Sequence, residues 1–366
     1  MKSNYRNIGD FIKLVDERNK GLKVTNLVGL SISKQFIKSV ANTIGTDMEN
    51  YKIIRKNQFA CSTMQVRRDK KMPLALYNDS EPAIISQAYP VFEINDTSQL
   101  LPEYLMMWFT RTEFDREACF HAVGGVRGSL EWEDFCGMQL PIPTIEKQQE
   151  IVREYNTIQN RIALNNQLIS KLEETAQAIY KQWFVEGIDS ENLPSGWRTG
   201  SLEDLYKFLY GKGNTNPDNG GIYPIYGSNG VIGGFDDYNN EDSPIIGHIG
   251  TAGSLVFAYG KHYVTYNGII CTIKDPLTKY FGYVSLLLKD LKEQVRGSTQ
   301  SFISYDILNE IELTLPESTI VYDFNEKAEV IFQNIRLLIE ENKILEELKD
   351  LLLAKMTRVE SEKELV

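Results

Sequence analysis

Two long segments of the sequence each carry a single narrow apolar stripe, and this pattern limits how the chain can fold. The first segment runs from about Thr144 to Val185 and the second from about Ser318 to Arg358. In both, apolar residues recur in steps of three and four, as they do in helices that pair through a coiled-coil seam. A helix of this length is about 60 Å long. Because one narrow seam cannot be buried by its own helix, the pattern predicts that each helix needs a partner.

The two seams most simply bury each other. The residues predicted for this pairing are Ile158, Ile162, Asn165, Ile169 and Leu172 in the first segment and Ile335, Leu338, Asn342, Leu345 and Leu348 in the second. Asn165 and Asn342 are polar positions within the apolar stripes, and such positions set the register of paired helices. The alternative interpretation is that two amphipathic helices pack on separate domains.

The chain also repeats the order of its local features. The string VRGS occurs at 126–129 and again at 295–298. A repeated tetrapeptide is expected by chance about once in a chain this long, so the features that follow it carry the argument. Each copy precedes an aromatic pair, a proline and a long amphipathic segment, at an offset that drifts from 169 to about 173 residues. The aromatic pairs are Trp132 with Phe135 and Phe302 with Tyr305, and the prolines are Pro143 and Pro316. We interpret the chain as two tandem halves.

The segments that precede the long helices have a different character. They contain short β-branched and aromatic runs interrupted by glycine, asparagine and proline, followed by one helical stretch. This composition indicates β-rich domains with long loops. The sequence therefore predicts an α+β protein with β-rich domains at 1–143 and 191–316, alternating with helical segments at 144–190 and 317–366.

Charge is distributed unevenly along the 366 residues, although the formal net charge is −11. Residues 1–140 have a net charge of +1, whereas residues 191–316 have a net charge of −5. Local clusters decide what a surface binds, and one basic cluster stands out in the first β-rich domain. The residues that we predict there for contact with nucleic-acid phosphate are Lys52, Arg55, Arg67, Arg68, Lys70 and Lys71. The alternative for this cluster is a solvated turn.

The second β-rich domain offers polar residues in glycine-rich loops instead of a basic cluster. The binding candidates there are Lys212, Tyr226, Ser228, Asn229, His248 and Thr251, and ordinary turn residues are the alternative. The two VRGS loops add Arg127, Ser129, Arg296 and Ser298. We expect backbone contacts from these loops because the arginines occupy the same place in each half. The alternative is a pair of surface ion pairs of little energetic consequence.

Several catalytic signatures are absent from the sequence. It contains no GxxxxGK[ST] loop and no HExxH string, and its four cysteines lack CxxC spacing. NPDN at 216–219 lacks the second proline and the aromatic residue of a base-gripping methyltransferase loop. We therefore expect no catalysis, no metal and no cofactor in this chain. The chain also has neither an apolar signal region at the N-terminus nor an apolar run of membrane-spanning length, which predicts a cytoplasmic protein without a membrane partner.

The arrangement resembles the specificity subunits of type I restriction–modification enzymes along essentially the whole chain. The strings that carry the resemblance are PSGWRTGSLEDL, YPIYGSNGVIGG, HIGTAGSLV, GSTQSFISYDIL and MQLPIPTIEKQQEIV. The start of the second long segment, LPESTIVYDF, departs from the family pattern because it lacks the glutamine found at the start of the first. We expect this difference to affect the boundary of the second helix and not the architecture.

The resemblance implies a division of labour between this chain and its partners. Each β-rich domain would be a target recognition domain that reads one half of a split site in double-stranded DNA. The long helices would pair as an antiparallel coiled coil, give the chain a pseudo-two-fold arrangement, fix the spacing and dock two methyltransferase subunits. Restriction or translocase subunits would be further partners, and S-adenosylmethionine, ATP and Mg would be bound only by partner subunits. The alternative is a non-catalytic coiled-coil scaffold with two β-rich ligand-binding domains.

Overall fold

The structure, a computed structural model, describes residues 5–39, 45–124, 128–213, 216–297 and 300–358. It divides into two compact units, each assembled around its own core. The first unit comprises Met1–Ile162 and Lys343–Val366, and the second comprises Ala163–Asn342. None of the helices in the described ranges combines the length and the apolar content that a membrane crossing requires.

The described residues of the first unit form ten short strands in small antiparallel sheets. They are β1 (Tyr5–Asn7), β2 (Ile12–Val15), β3 (Val28–Leu30), β4 (Phe36–Lys38), β5 (Lys52–Ile54), β6 (Phe59–Cys61), β7 (Leu74–Leu76), β8 (Ala83–Ile85), β9 (Val91–Ile94) and β10 (Gln139–Pro141). The largest sheet has the order β2-β9-β6-β7, and the remaining strands form the pairs β1–β10, β3–β4 and β5–β8. Its helices are α1 (Val66–Asp69), α2 (Pro102–Thr110), α3 (Thr112–His121), α4 (Trp132–Gly137) and the first part of α5 (Ile145–Phe184).

The second unit contains the rest of α5 and a larger sheet. Its strands are β11 (Arg198–Ser201), β12 (Tyr206–Tyr210), β13 (Tyr223–Gly227), β14 (Gly230–Phe235), β15 (Asn240–Gly247), β16 (Leu255–Val264), β17 (Gly268–Ile273) and β18 (Glu312–Leu315). Six of them form one sheet in the order β12-β17-β15-β16-β13-β14, in which only the β13–β16 pair is parallel among the described strands. The helices are α6 (Leu202–Leu205), α7 (Lys279–Leu288), α8 (Tyr305–Asn309) and α9 (Ser318–Lys355), and the end of α9 belongs to the first unit.

Aromatic side chains fill the core of the first unit. Phe59 of β6 and Phe92 of β9 lie opposite each other in the sheet and stack, with ring centroids 5.0 Å apart. Phe109 of α2 and Phe135 of α4 pack against the Phe92 ring at 6.5 and 5.7 Å. All four side chains are fully buried. Because each ring removes a large apolar area from water, this cluster joins sheet and helices into one core.

The core of the second unit is built around the long helices. Tyr180 and Phe184 of α5 pack on Phe281 of α7, with ring centroids 5.3 and 5.1 Å apart. Phe324 of α9 closes the cluster at 5.3 Å from Phe184. The same helix segments therefore pair with each other and pack against the β-rich domain. The two alternatives left open by the sequence, mutual pairing of the helices and packing on the domains, are both realised.

The long helices run antiparallel. Within the second unit the end of α5 meets the beginning of α9, since Phe184 contacts Phe324, and farther along Asn165 hydrogen bonds to Asn342. Within the first unit Ile151, near the start of α5, shares a core with Leu353 and with Met356, which directly follows α9. The predicted fold class, two β-rich domains alternating with two long helices that pair in antiparallel fashion, is confirmed.

The predicted seam holds along most of its length and shifts near the end of α9. Ile162 and Ile335 are buried, and the remaining apolar seam residues except Leu348 are half-buried. Leu348 is 47% exposed, so its predicted role in pairing is wrong. Leu353 and Met356 face the core in its place. The seam shifts because an α-helix drifts relative to a strict heptad repeat. The leucines at 351–353 lie close together in the sequence, so the drift decides which of them faces the core.

Both β-rich domains are closed in the same way. The first and last strands of each domain pair with one another, β1 with β10 and β11 with β18. A short helix precedes the last strand, and a long helix follows it. The order of elements at the end of each domain is therefore duplicated, as the repeat in the sequence predicts.

The backbone shows which loop residues are equivalent. Val123 and Ser129 exchange two backbone hydrogen bonds of 2.9 and 2.8 Å, and Arg296 and Phe302 do the same at 2.9 and 2.8 Å. A glycine with φ near 95° follows the first residue of each pair, φ being 95° at Gly124 and 94° at Gly297. The equivalent residues are thus 173 apart, and the starts of α4 and α8 and of α5 and α9 keep that same offset.

This register corrects the interpretation of the VRGS strings. They are 169 residues apart and therefore lie four positions out of register within equivalent loops. The prediction that Arg127 and Arg296 occupy the same place is wrong: Arg296 closes its loop, whereas Arg127 falls inside its loop, outside the described residues. The aromatic pairs shift as well, because Trp132 and Tyr305 both begin their short helices. The predicted drift is also absent: from the closed loop to the long helix, equivalent residues of the two halves stay 173 positions apart.

Candidate nucleic-acid interface

A short basic turn stands at the surface of the first unit. Arg67 and Arg68 lie in α1, and Lys70 and Lys71 follow it, with all four side chains exposed. Lys70 has φ of 52°, a left-handed conformation that non-glycine residues seldom adopt. The reversal directs the chain back into the core at Met72, which is fully buried. Basic side chains are thereby displayed on a turn that is anchored on its C-terminal side.

The basic turn packs against the closed loop of the same unit. A Cβ on Gly128, where φ is 42°, would lie 2.6 Å from the Cβ of Arg67, so only glycine fits there. The Arg67 guanidinium is 3.5 Å from the carbonyl oxygen of Gly124, and the Leu130 amide donates to the Thr63 carbonyl at 2.9 Å. Ser129, one of the predicted contact residues, closes this loop. The structure thus brings Arg67 and Ser129 into one surface region.

Ion pairing decides which cations on the turn are available. The Arg68 guanidinium donates to both carboxylate oxygens of Asp69 at 2.6 and 3.0 Å, and this pairing raises the pKa of Arg68 and lowers that of Asp69. Arg67, Lys70 and Lys71 have no carboxylate partner in the part of the chain that the structure describes. On the described part of this turn, these three cations are available to a ligand.

A buried ion pair fixes the end of the turn. The Lys34 ammonium donates to Asp115 Oδ1 at 2.8 Å, and the same oxygen accepts the Met72 amide at 3.1 Å. Lys34 also donates to the carbonyl oxygen of Phe109. Burial lowers the pKa of Lys34, while the neighbouring Asp115 acts in the opposite direction. A buried pair of this kind is costly to break, so it holds the turn rigidly against α3.

Lys52 and Arg55 differ from the residues on the turn. The Lys52 ammonium donates to the Tyr89 carbonyl at 3.0 Å and lies 3.8 Å from Asp16. The Arg55 guanidinium forms a two-pronged pair with Glu17 at 2.7 and 2.9 Å. The prediction of one continuous basic cluster is corrected here, because these two cations already have acceptors within the protein.

The candidates in the second unit come together around the end of β15. Ser254 donates its hydroxyl to the Ser228 carbonyl and its amide to the Thr251 carbonyl. The Thr265 amide donates to the Tyr226 carbonyl at 3.0 Å, and the Lys212 amide donates to the Val264 carbonyl at 2.9 Å. The exposed members of the predicted set here are Lys212, Asn229, Thr251 and Arg296, whereas Ser228 and Tyr226 are half-buried. Ser298, the last of the set, lies outside the described residues.

His248 is a support in this corner and not an exposed contact. Its side chain is 5% exposed, and its Nδ1 lies 2.6 Å from the carbonyl oxygen of Ile303. Because a carbonyl oxygen can only accept, Nδ1 carries the proton. The Ile303 amide donates back to the His248 carbonyl at 3.0 Å, and the His248 amide donates to Asn267 at 2.7 Å. The prediction that His248 contacts a ligand directly is corrected, since the ring is enclosed.

Three tyrosines that sequence reasoning did not select as site residues form an aromatic cluster with this histidine. Tyr210 and Tyr266 lie with ring centroids 4.5 and 5.2 Å from the His248 ring, and Tyr305 lies 4.9 Å from Tyr210. Tyr266 and Tyr305 are each 38% exposed. No local pattern in the sequence groups the four rings, because they come from distant points in the chain.

The two units use equivalent positions differently. Thr63 accepts the Leu130 amide in the first unit, as His248 accepts the Ile303 amide in the second, and Leu130 and Ile303 are 173 residues apart. The shared backbone arrangement thus carries the basic turn in the first unit. In the second unit it carries an aromatic corner, which is formed by Tyr210, His248, Tyr266 and Tyr305. Among the described residues, no three His, Cys, Asp or Glu side chains group as they would around a metal ion.

Both halves of the chain match the model of one known protein family. The model of the type I restriction modification DNA specificity domain matches residues 6–174 and again residues 194–350. The chain belongs to this family. The double match agrees with the duplicated end of each β-rich domain and supports a role in DNA sequence specificity.

Two individual proteins illustrate the similarity. The type I restriction enzyme HindI specificity subunit of Haemophilus influenzae is 28% identical over 137 residues, which is 37% of this chain and 29% of that protein. The match therefore spans less than a third of that relative. The crystal structure of a type I restriction–modification S subunit from M. genitalium aligns with a TM-score of 0.56 at 17% identity, over 96% of this chain and 95% of that chain. This second likeness shows a shared fold.

Proposed function

We propose that this protein is the DNA-reading subunit of a type I restriction–modification system and that each β-rich domain reads one half of a split site. The observation that supports this best is the pair of equivalent loops. They have the same backbone register, yet one adjoins a basic turn and the other an aromatic corner. A common framework with different surfaces suits two domains that recognise different base sequences.

The basic turn and the aromatic corner would make different kinds of contact with DNA. Arg67, Lys70 and Lys71 would bind phosphate and set the position of the first domain on the duplex. Side chains on the loops of the second domain would contact base edges in the major groove, where each base pair presents a distinct pattern of donors and acceptors. The net charge of −5 over residues 191–316 makes strong phosphate attraction less suited to the second domain.

The long helices would act as the spacer between the half-sites and as the docking surface for two methyltransferase subunits. Their hydrogen-bonded asparagine layer, with Asn165 donating to Asn342 at 2.9 Å and Asn342 donating to Asn166 at 2.9 Å, fixes one register of the pair. Catalysis would belong to partner chains, which would bind S-adenosylmethionine, ATP and Mg. Restriction or translocase subunits would join the same complex.

Equilibrium binding to duplex DNA tests this function. The full chain, alone and with a type I methyltransferase subunit, is titrated separately with duplexes of different sequence at several salt concentrations. We expect an affinity that depends on DNA sequence and falls as salt rises, because phosphate contacts release counterions. An affinity that depends on neither sequence nor salt would contradict the proposal and favour the scaffold alternative.

A further inference from the structure

The aromatic corner of the second unit is held in place from several directions. Tyr266, in the turn between β16 and β17, and Tyr305, at the start of α8, both pack on the Tyr210 ring, with ring centroids 5.4 and 4.9 Å apart. His248 packs edge-on against Tyr266. Aromatic pairs at such distances are attractive beyond the area that they bury, so the two exposed rings rest on a preformed support.

Backbone hydrogen bonds fix the positions from which the two exposed tyrosines project. His248 bonds to Asn267, the neighbour of Tyr266, and to Ile303, two residues before Tyr305. The Tyr266 amide donates to the Gly213 carbonyl at 3.1 Å. A rigid surface of this kind suits recognition, because little side-chain entropy is lost on binding.

One glycine makes the close packing beside Tyr266 possible. A Cβ on Gly211 would lie 2.2 Å from the carbonyl oxygen of Thr265. The absence of a side chain allows the strand end to pass directly against Thr265 and places exposed Lys212 in the adjoining loop. The corner therefore combines two phenol groups with a nearby cation.

The corner is specific to the second unit. At the position equivalent to His248 the first unit has Thr63, which has no aromatic ring. At the position equivalent to Tyr305 it has Trp132, which is half-buried and packs on Phe92 and Phe135 at 5.6 and 5.1 Å. The shared framework does not require these rings to be exposed, so the exposed tyrosines are a feature of one reading domain.

We infer that Tyr266 and Tyr305 determine the base preference of the half-site that the second β-rich domain reads. This inference rests on the proposed function and assigns it to particular side chains. A phenol offers an apolar ring for contact with a thymine methyl group and a hydroxyl that donates to or accepts from a base edge. Contacts of this kind carry sequence information, whereas contacts to phosphate only position the protein.

Selection from a library of duplexes with a randomised stretch of about 30 base pairs tests the inference. The full-length wild type, Tyr266→Ala and Tyr305→Ala are each used to select DNA, and the enriched pools are sequenced. We expect each variant to lose about tenfold in discrimination at one or two base pairs of a single half-site, since a mismatch typically changes affinity by that order. The other half-site should be selected as by the wild type.

Tyr322→Ala is the matched control. Tyr322 lies on α9 and is 37% exposed, close to the exposure of the two tyrosines, and its hydroxyl donates to Asp275. This variant should select the wild-type motif. Tyr266→Phe and Tyr305→Phe separate the two contact modes: a retained preference assigns the contact to the ring, and a lost preference assigns it to the hydroxyl.

The outcomes distinguish the inference from the function on which it rests. A wild-type pool without any motif would remove both. A clear wild-type motif that both alanine variants also select would contradict the inference alone. Loss of preference in both half-sites by either alanine variant would also contradict it, since that result indicates general damage and not the loss of a contact in one domain.

Discussion

At the scale of single residues, the surroundings of each arginine decide what it can bind. Arg55 is held by both carboxylate oxygens of Glu17, and Arg68 is held in the same way by Asp69. Arg67 instead packs on Gly128 and has no carboxylate partner among the described residues. Three arginines that are similar in the sequence therefore differ in their availability to phosphate.

We expect Arg67→Ala to weaken DNA binding at all sequences alike. Loss of one phosphate contact should reduce the slope of log affinity against log salt by about one. Arg67→Lys keeps the charge and should keep the slope, and Arg55→Ala should change it less because Glu17 already neutralises that cation. Equal salt slopes for the wild type and Arg67→Ala would show that Arg67 does not contact phosphate.

The burial of His262 predicts that the stability of the protein depends on pH. The His262 side chain is fully buried, Nδ1 donates to the Gly260 carbonyl at 2.8 Å, and Nε2 has no hydrogen-bond partner among the described residues. Burial lowers the pKa of His262 below its ordinary value of 6.5, although the Asp242 and Glu241 carboxylates act in the opposite direction. Between the lowered pKa and 6.5 the unfolded chain binds more protons than the folded chain, so the free energy of unfolding falls as pH falls through that window.

We therefore expect His262→Gln to reduce the acid sensitivity of the protein. The free energy of unfolding is measured in urea at about pH 7.5 and about pH 5.5 for both proteins. The difference between the two pH values should be smaller in the variant, whatever its stability at neutral pH. Carboxylates contribute equally to both proteins, so an unchanged difference would mean that His262 does not titrate as its burial indicates.

At the scale of the secondary-structure elements, the long helices are stabilised by the cores that they enter. Phe324 of α9 is 1% exposed and contacts Tyr180, Phe184 and Phe281. We expect Phe324→Ala to lower the free energy of unfolding by about 3–5 kcal/mol, as is typical when a buried phenylalanine is replaced by alanine and leaves a cavity. Leu337→Ala on the same helix should cost far less, since Leu337 is 63% exposed. Urea titration of both variants checks the difference.

The helical pair offers a test of the spacer role. One turn of four residues is inserted directly after Asn165 and another directly before Asn342, so that the added turns face each other in the antiparallel pair. Four residues add about 6 Å to a helix, or about two base pairs of duplex. We expect the gap between half-sites to lengthen while both half-sites keep their sequences. An unchanged gap would contradict the spacer role.

Local patterns predicted the elements better than the contacts between them. The stripes of α5 and α9 and their asparagines were visible in the sequence, because helical spacing is a local property. The prediction that Leu348 lies in the seam was wrong because neighbouring leucines fit the apolar stripe almost equally well. The helix drifts relative to a strict heptad repeat, and this drift decides which of them faces the core. The aromatic corner was missed because residues 210, 248, 266 and 305 meet only through the topology of the sheet.

At the scale of the whole molecule, duplication explains how one chain could read two different sequences. The end of each β-rich domain repeats at an offset of 173 residues, from the closed loop through the short helix and final strand to the long helix. The two VRGS strings are out of register by four residues, and the backbone hydrogen bonds give the true correspondence. The framework is duplicated, and the surfaces that it carries have diverged.

The most direct test is the motif that the wild-type protein selects from randomised duplex DNA. We expect a bipartite motif, in which two short and different half-sites are separated by a gap of fixed length and unspecified sequence. Arg67→Ala should weaken selection without changing the motif. A single continuous motif, two half-sites at variable spacing, or no motif at all would show that the two domains do not read the halves of a split site.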